Sequence, residues 1–158
     1  MPALRRACGR IVIVGSVAGR SALPFLGAYA MSKFALEAMA DSLRVELQPW
    51  GLHVAIVEPA TIATPMWTKP QRSLDEFPPE MAERYGVRLQ RFAQLAAERS
   101  SAHAVSTDAV AKAIEHALTA PNPRTRYLIG PDAKRRAAVQ LLPDRLRDRV
   151  LTRFLFGS

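Results

Sequence analysis

The sequence predicts an α/β fold with a small parallel sheet, and three observations lead to this prediction. Two short runs, 11–14 and 54–57, are continuously apolar and rich in β-branched residues, a pattern typical of strands covered on both faces. The segment between these runs changes to helical periodicity. Strand, helix and strand in this order predict a right-handed crossover between parallel neighbours. A third strand is expected at 126–130, giving about three parallel strands.

The connecting helix is predicted over residues 29–48, where Pro49 ends it and Gly51 lets the chain reverse direction. A second helix is expected to begin at a cap formed by Ser106 or Thr107. Both helices carry an apolar face at helical spacing. The first has Leu36, Met39, Ala40, Leu43 and Leu47 opposite a polar stripe of Lys33, Glu37, Asp41, Arg44 and Gln48, and the second has Val110, Ile114, Ala117 and Leu118.

The composition is that of an ordinary globular domain. Of the 158 residues, 49% are hydrophobic and 23% are charged, which allows a packed core and argues against disorder. No apolar run approaches the ~18 residues of a membrane-spanning helix, and residues 1–10 do not lead into a secretory signal. The single cysteine, Cys8, excludes an intramolecular disulfide and fits a reducing compartment. A cytoplasmic location is therefore expected.

The formal net charge is +8, with most of the excess in the C-terminal quarter. A basic tail is more often a solvated helix face than a nucleic-acid-binding surface, so no nucleic-acid partner is expected. The three histidines, His53, His103 and His116, have neither metal-ligand spacing nor cysteine partners. The sequence therefore predicts no metal site.

Tyr29 and Lys33 are the first candidates for chemistry. They lie one turn apart at the start of the predicted helix, so their side chains share one face. A free phenol is a poor acid–base catalyst at neutral pH, and a nearby ammonium group favours the phenolate form. Taken alone, the pair could also be a half-buried tyrosine beside a surface lysine.

The surroundings of this pair strengthen the functional interpretation. Ser16 follows the first predicted strand, and a hydroxyl-bearing segment, 59–64, follows the second. Ligands of open α/β sheets bind at the carboxyl ends of the strands. Three segments with polar groups suited to carbonyl chemistry are thus expected to meet at one edge of the sheet.

The sequence resembles the short-chain dehydrogenase/reductase family. The resemblance is carried by GRIVIVGSVAGR at 9–20, GAYAMSKFALE at 27–37, LRVEL at 43–47 and VEPATIATP at 57–65. The serine precedes the tyrosine at the family's spacing. The resemblance implies part of a Rossmann fold, a doubly wound parallel sheet with flanking helices, and an oxidoreductase that acts on an alcohol or carbonyl with NAD or NADP.

The same resemblance implies roles for individual residues. Tyr29 would be the general acid–base that exchanges a proton with the substrate oxygen, and Lys33 would favour its phenolate and bind the nicotinamide ribose. Ser16 would hold and polarise the carbonyl or alcohol. The cofactor-binding residues would be Tyr29 and Lys33 together with the segment that receives the nicotinamide carboxamide, represented by Pro59, Ile62 and Thr64.

The family's N-terminal half is absent from this sequence. Nothing matches its glycine-rich pyrophosphate turn, the residue that selects NAD or NADP, or its N-N-A-G-type segment. We therefore expect the chain alone to bind the cofactor poorly, and 11–14 to offer an unpaired apolar edge. Ala60 stands where the family usually has glycine, and alanine disfavours a positive φ.

Substrate and partners are less strongly indicated. Leu23 and Phe25 are expected to face Met66 and Trp67 across a bulky, hydrophobic substrate, although these residues could equally form core. The chain is divided into a catalytic part, 1–133, and a basic amphipathic helical extension, 134–158, which could make peripheral membrane contact. The helix at 29–48 resembles one that forms dimer contacts in the family, so a homo-oligomer is expected. The alternative function is a non-catalytic fragment that acts as an association module.

Overall fold

The computed structural model describes residues 1–62 and 78–157. In these stretches the chain forms three strands, six α-helices and two short 3₁₀ turns. The strands are β1 (Arg10–Val14), β2 (His53–Pro59) and β3 (Arg126–Ile129). The helices are α1 (Pro2–Arg6), α2 (Gly27–Leu47), α3 (Pro79–Ala102), α4 (Thr107–Thr119), α5 (Pro131–Val139) and α6 (Asp144–Phe156), and the 3₁₀ turns are Val17–Gly19 and Gln48–Trp50.

The three strands form one parallel sheet in the order β1-β2-β3. Arg10 pairs with His53 at the start of β1, and Arg126 pairs with Ile56 at the start of β3. This confirms the prediction of an α/β fold with three parallel strands and flanking helices. Among the described strands β1 has a neighbour on one side only, and Val14 at its end is 48% exposed.

Helices cover both faces of the sheet, which explains why the strands are continuously apolar. Alternate residues of β2 point to opposite faces. Val54 and Ile56 pack into a cluster with Ala40 and Leu47 of α2. On the other face, β2 packs against α4 in a second cluster, whose buried members are Ala55, Val57, Val105, Val110, Ala113, Ala117 and Tyr127.

Three details of the predicted helix faces are wrong. Glu37, expected in the polar stripe of α2, is buried, because its carboxylate turns inward to Arg126. Met39 and Leu118, expected on the apolar faces, are 44% and 47% exposed. Periodicity alone assigns too wide an apolar sector to each helix, because the sheet contacts only the sector centred on small residues such as Ala40 and Ala117.

The turn after β1 lies directly against α2. A β-carbon at Gly19 would come within 2.7 Å of the Lys33 carbonyl oxygen and 3.0 Å of the Lys33 carbonyl carbon. These are backbone atoms, which have little room to move. Glycine at this position therefore allows the turn at 17–19 to pack on the first turns of α2.

The C-terminal helices α5 and α6 lie next to the segments that follow β1 and β2. Helix α6 packs on α3, with the Arg99 guanidinium 4.6 Å from the ring centroid of Phe154 and the Arg88 guanidinium 5.3 Å from the ring centroid of Phe156.

The predicted boundary between residues 133 and 134 falls inside α5, and the division into two domains stays a prediction. None of the described helices has both the length and the apolar character needed to cross a bilayer.

Gly19→Ala should destabilise the fold. The added methyl would overlap the backbone of α2, and overpacking of this kind costs about 1–3 kcal/mol. Denaturant unfolding followed by circular dichroism measures the loss. Gly27→Ala is the matched control, since nothing lies within 4 Å of its β-carbon position, and we expect a change within about 1 kcal/mol. Equal effects of the two substitutions would contradict the close-approach argument.

Candidate functional site

Ser16 lies at the carboxyl end of β1 and is buried. Its Oγ accepts a hydrogen bond of 3.2 Å from the backbone N–H of Ala18, which caps the turn at 17–19. Gly15 just before it donates its N–H to the Val57 carbonyl, 2.9 Å away, so the strand pairing holds the serine at the sheet edge. Within the described residues its hydroxyl hydrogen has no acceptor and is available to a ligand.

Tyr29 and Lys33 lie at the start of α2, as predicted. Tyr29 is 40% exposed, and the Lys33 Nζ is 5.7 Å from the centroid of its ring. Neither the phenol oxygen nor the ammonium group has a hydrogen-bond partner within the described residues. The contact of Gly19 with the Lys33 backbone brings the Ser16 turn and this helix together. The predicted catalytic groups therefore lie on two directly packed segments.

The predicted cofactor residues after β2 are only partly described. Pro59 is buried at the end of β2, and Ile62 pairs with Val105 in an isolated parallel bridge. Ala60 donates its N–H to the Ile129 carbonyl at 3.0 Å and has no positive φ. The alanine is thus accommodated without the strain that a positive φ would impose. Thr64 lies outside the described residues.

An apolar cavity of about 330 Å³ opens beside this edge of the sheet. Its walls come from the loop after β1, the segment after β2, and helices α3, α5 and α6. The predicted substrate residue Leu23 lines it. Phe25 contacts the cavity residue Phe92, with ring centroids 5.7 Å apart, and has a φ of +65°, rare for a residue other than glycine. Met66 and Trp67 lie outside the described residues.

Sequence analysis missed the contribution of the C-terminal part to this cavity. Helix α6 was expected to be part of a separate basic extension, yet four of its residues line the cavity, Val150, Leu151, Phe154 and Leu155. Helix α5 adds Asp132, Arg135 and Arg136. Their basic, amphipathic pattern is the same whether the apolar side faces protein or membrane, so the sequence held no signal that would separate the two. The predicted membrane contact stays a prediction.

A group of charged side chains surrounds the buried Glu58. Glu58 at the end of β2 is fully buried and lies 3.5 Å from the Arg126 guanidinium and 3.7 Å from that of Arg20. Arg126 also pairs with Glu37 and Asp41 of α2. Burial and the negative charge of Glu37 raise the pKa of Glu58 to about 7, against the opposing effect of the two arginines. No local sequence pattern marked this group, because its members come from four segments.

The parallel sheet with helices on both faces defines a class of protein, the α/β proteins with a Rossmann-like sheet, of which this chain shows three strands. The sequence profile described as "short chain dehydrogenase" matches residues 1–75. This confirms the resemblance drawn from the sequence. The chain belongs to the short-chain dehydrogenase/reductase family.

Characterised relatives match nearly the whole chain. It is 38% identical to 17-beta-hydroxysteroid dehydrogenase type 6 of Homo sapiens, with 97% of this chain and 50% of the relative covered. It is 41% identical to Homo sapiens retinol dehydrogenase 16, over 85% of this chain and 44% of that protein. The mitochondrial D-beta-hydroxybutyrate dehydrogenase of Rattus norvegicus is 37% identical, over 80% and 40%. The chain thus spans about half the length of the curated relatives it matches.

Solved structures also match nearly all of this chain over about half of their own length. A short-chain dehydrogenase from Streptomyces avermitilis is similar with a TM-score of 0.68 and 27% identity, over 97% of this chain and 53% of that one. A short-chain dehydrogenase from Burkholderia cenocepacia in complex with NADP gives a TM-score of 0.58 and 25% identity, over 98% and 50%. The three-stranded sheet is therefore part of the larger Rossmann sheet of these proteins.

Glu58→Gln should change how stability depends on pH. An unfolded chain ionises this group near its ordinary pKa of 4.5, whereas the folded chain keeps the proton up to about pH 7. Between these values the folded state binds more protons, so its stability falls as pH rises, by at most about 1.4 kcal/mol per pH unit. The neutral glutamine should remove this slope and make the variant relatively more stable at pH values above 7.

Urea unfolding across the pH range measures this difference. Glu80→Gln serves as the control, since Glu80 lies in a solvent-exposed pair with Arg84 on α3 and its loss should leave the profile parallel to that of the unmodified chain. A Glu58→Gln profile parallel to the unmodified one would contradict the proton retention described above.

Proposed function

We propose that the protein containing this chain is an NAD(P)-dependent oxidoreductase that interconverts an alcohol and a carbonyl, and that this chain supplies its catalytic and substrate-binding groups. The observation that supports this most strongly is the packing of the Ser16 turn on the helix that carries Tyr29 and Lys33. Membership of the family and the oxidoreductase names of the relatives agree with it.

Tyr29 is assigned the proton transfer. Its phenol is partly exposed at the start of α2 and has no competing partner within the described residues. The Lys33 ammonium lies 5.7 Å from the centroid of the same ring. Ser16, held by its bond from Ala18, is assigned to hold the substrate oxygen by donating its hydroxyl hydrogen. Proton transfer by a positioned side chain contributes about 10²–10⁴-fold to rate.

The nicotinamide end of a dinucleotide fits these residues. The Lys33 ammonium makes no hydrogen bond to other described residues and could donate to ribose hydroxyls. The segment after β2 reaches the same sheet edge, and Thr64 is assigned to it with Pro59 and Ile62. A bound nicotinamide would supply the hydride chemistry. A solved relative of 25% identity carries NADP, and the choice between NAD and NADP depends on a residue outside this chain's matched motifs.

A hydrophobic substrate suits the cavity. Most of its walls are apolar, and its volume of about 330 Å³ lies at the lower end of the range of small-molecule sites, about 300–1,000 Å³. Relatives named for steroids and retinol act on apolar alcohols. Leu23 lines the cavity, and Phe25, Met66 and Trp67 are assigned with it to the substrate.

Tyr29→Phe should lower kcat by about 10²-fold or more, with little change in KM, because the substituted ring keeps its packing and loses only the proton. The whole protein that contains this chain is assayed with a secondary alcohol and each nicotinamide cofactor, by the absorbance of the reduced form. Tyr85→Phe is the matched control, since Tyr85 is half exposed on α3 and should leave kcat unchanged. Full activity of Tyr29→Phe would refute the assignment.

We also propose that α2 pairs with a second copy of the chain. Its side away from the sheet carries a row of exposed apolar side chains at helical spacing, Met31, Phe34, Ala38 and Val45. Met31 and Val45 are 75% and 71% exposed. Such a contiguous apolar row is typical of an interface. This surface would serve the enzyme, and it would serve equally a chain acting only as an association module.

Val45→Glu should therefore convert a dimer to a monomer, because a carboxylate would lose its hydration at the centre of the interface. Size-exclusion chromatography with light scattering reports the mass. Leu118→Glu places the same charge at an exposed apolar position on α4, on the opposite face of the sheet, and should not alter the mass. A monomeric unmodified chain, or a dimeric Val45→Glu, would argue against this surface.

A further inference from the structure

The cavity described above is apolar over most of its surface but cationic at one side. Three arginines line it, Arg99, Arg135 and Arg136, and Asp132 is the acidic residue that lines it with them. Apolar side chains of α3, α5 and α6 make up the greater part of the remaining wall, among them Leu95, Val139, Val150 and Leu155. A site built only for a neutral apolar molecule has no need of this excess of positive charge.

Asp132 forms hydrogen-bonded salt bridges with two of the three arginines. Its Oδ2 accepts a hydrogen bond of 3.0 Å from Arg99, and its Oδ1 accepts one from Arg135. Arg99 is fixed further by the aromatic ring of Phe154, which it covers at 4.6 Å. Asp132 therefore compensates part of the charge of Arg99 and Arg135, and its oxygens make no hydrogen bond to Arg136.

Of the three cavity arginines, Arg136 is the one that forms no salt bridge with a described carboxylate. Its Nη2 donates to the Ser21 carbonyl oxygen, and its Nε is buried without any partner. A guanidinium turned toward an apolar cavity with an unused donor carries a desolvation cost that an anion would offset. Burial lowers the pKa of Arg136 to about 10, so the group stays charged at neutral pH.

The negative charge of Asp132 acts on the Arg136 guanidinium at longer range and opposes the lowering of its pKa by burial. The cationic side of the cavity lies next to the loop after β1, because Arg136 donates to the carbonyl oxygen of Ser21, which also lines the cavity.

We propose that the cavity binds a carboxylic acid with an apolar tail, its carboxylate held by Arg136 and its tail between α3 and α6. This inference rests on the proposed function, because it names the substrate class of the same site: an apolar acid that also carries the alcohol or carbonyl on which Tyr29 acts. The uncharged steroid-like or retinoid-like alcohols suggested by the apolar walls would leave Arg136 without a salt bridge to a carboxylate.

The test compares two ligands that differ only in their head group. Octanoate and 1-octanol are titrated into the chain by isothermal calorimetry. A charge-assisted hydrogen bond from a desolvated guanidinium predicts that octanoate binds about tenfold or more tightly than the alcohol. Equal affinity, or tighter binding of the alcohol, in the unmodified chain overturns the proposal without any substitution.

Substitutions then identify the group responsible. Arg136→Met should bring the octanoate affinity down to that of 1-octanol while leaving the alcohol's affinity in place, and Arg136→Lys should keep part of the preference. Arg145→Met is the control, because Arg145 is exposed on α6 and does not line the cavity. Thermal melts monitor folding of each variant, and if Arg136→Met fails to fold, the lysine variant and the unmodified chain decide. A preference that survives in a folded Arg136→Met overturns the assignment.

Tyr29→Phe separates this inference from the proposed function. It should lower turnover in the whole protein by about 10²-fold or more and leave the octanoate preference unchanged. Tyr29-dependent turnover of a neutral alcohol, without any preference for octanoate, would overturn the anion site and leave the oxidoreductase proposal standing. An Arg136-dependent preference without turnover would support the anion site and count against the catalytic proposal.

Discussion

The Arg126 guanidinium joins more of this structure than any local pattern in the sequence suggests. Arg126 is the first residue of β3, and its guanidinium pairs with Glu58 on β2 and with Glu37 and Asp41 on α2. Glu58 also pairs with Arg20 in the loop after β1. Because Glu58 is fully buried, it is costly to ionise unless these partners stay in place. The cluster therefore fixes the helix and the loop that carry the proposed catalytic groups relative to the sheet.

The second organising feature is the group of helices α3, α5 and α6, which lies next to the carboxyl ends of the strands. Helices α3 and α6 lie against each other through arginine–aromatic contacts, and α5 joins them to the turn after β1. Together they turn an open sheet edge into a cavity that is apolar along its length and cationic where Arg136 meets the loop. Rigid elements placed on three sides suit a site that must hold a substrate in one orientation.

Much of the fold could be predicted because its signals are local. Continuous β-branched runs such as 54–57 require burial on both faces, and the helical spacing around Leu43 and Leu47 requires a sheet beneath it. The family motifs also locate Ser16, Tyr29 and Lys33, and α2 does carry the latter two on one face. The burial of Glu37 and the place of α6 beside the cavity were not predicted, because whether a polar or amphipathic side chain is buried depends on partners distant in the sequence.

The sequence by itself determined the class of fold, the three strands with the two helices that cover them, and the family, because periodicity and motif spacing are properties of contiguous residues. Only the tertiary structure decided which charges lie together, that residues of α6 line a cavity, and that Asp132 forms salt bridges with Arg99 and Arg135 but not with Arg136. These outcomes depend on long-range packing, where a desolvated charge gains or loses stability according to which groups the fold brings within a few ångströms of it.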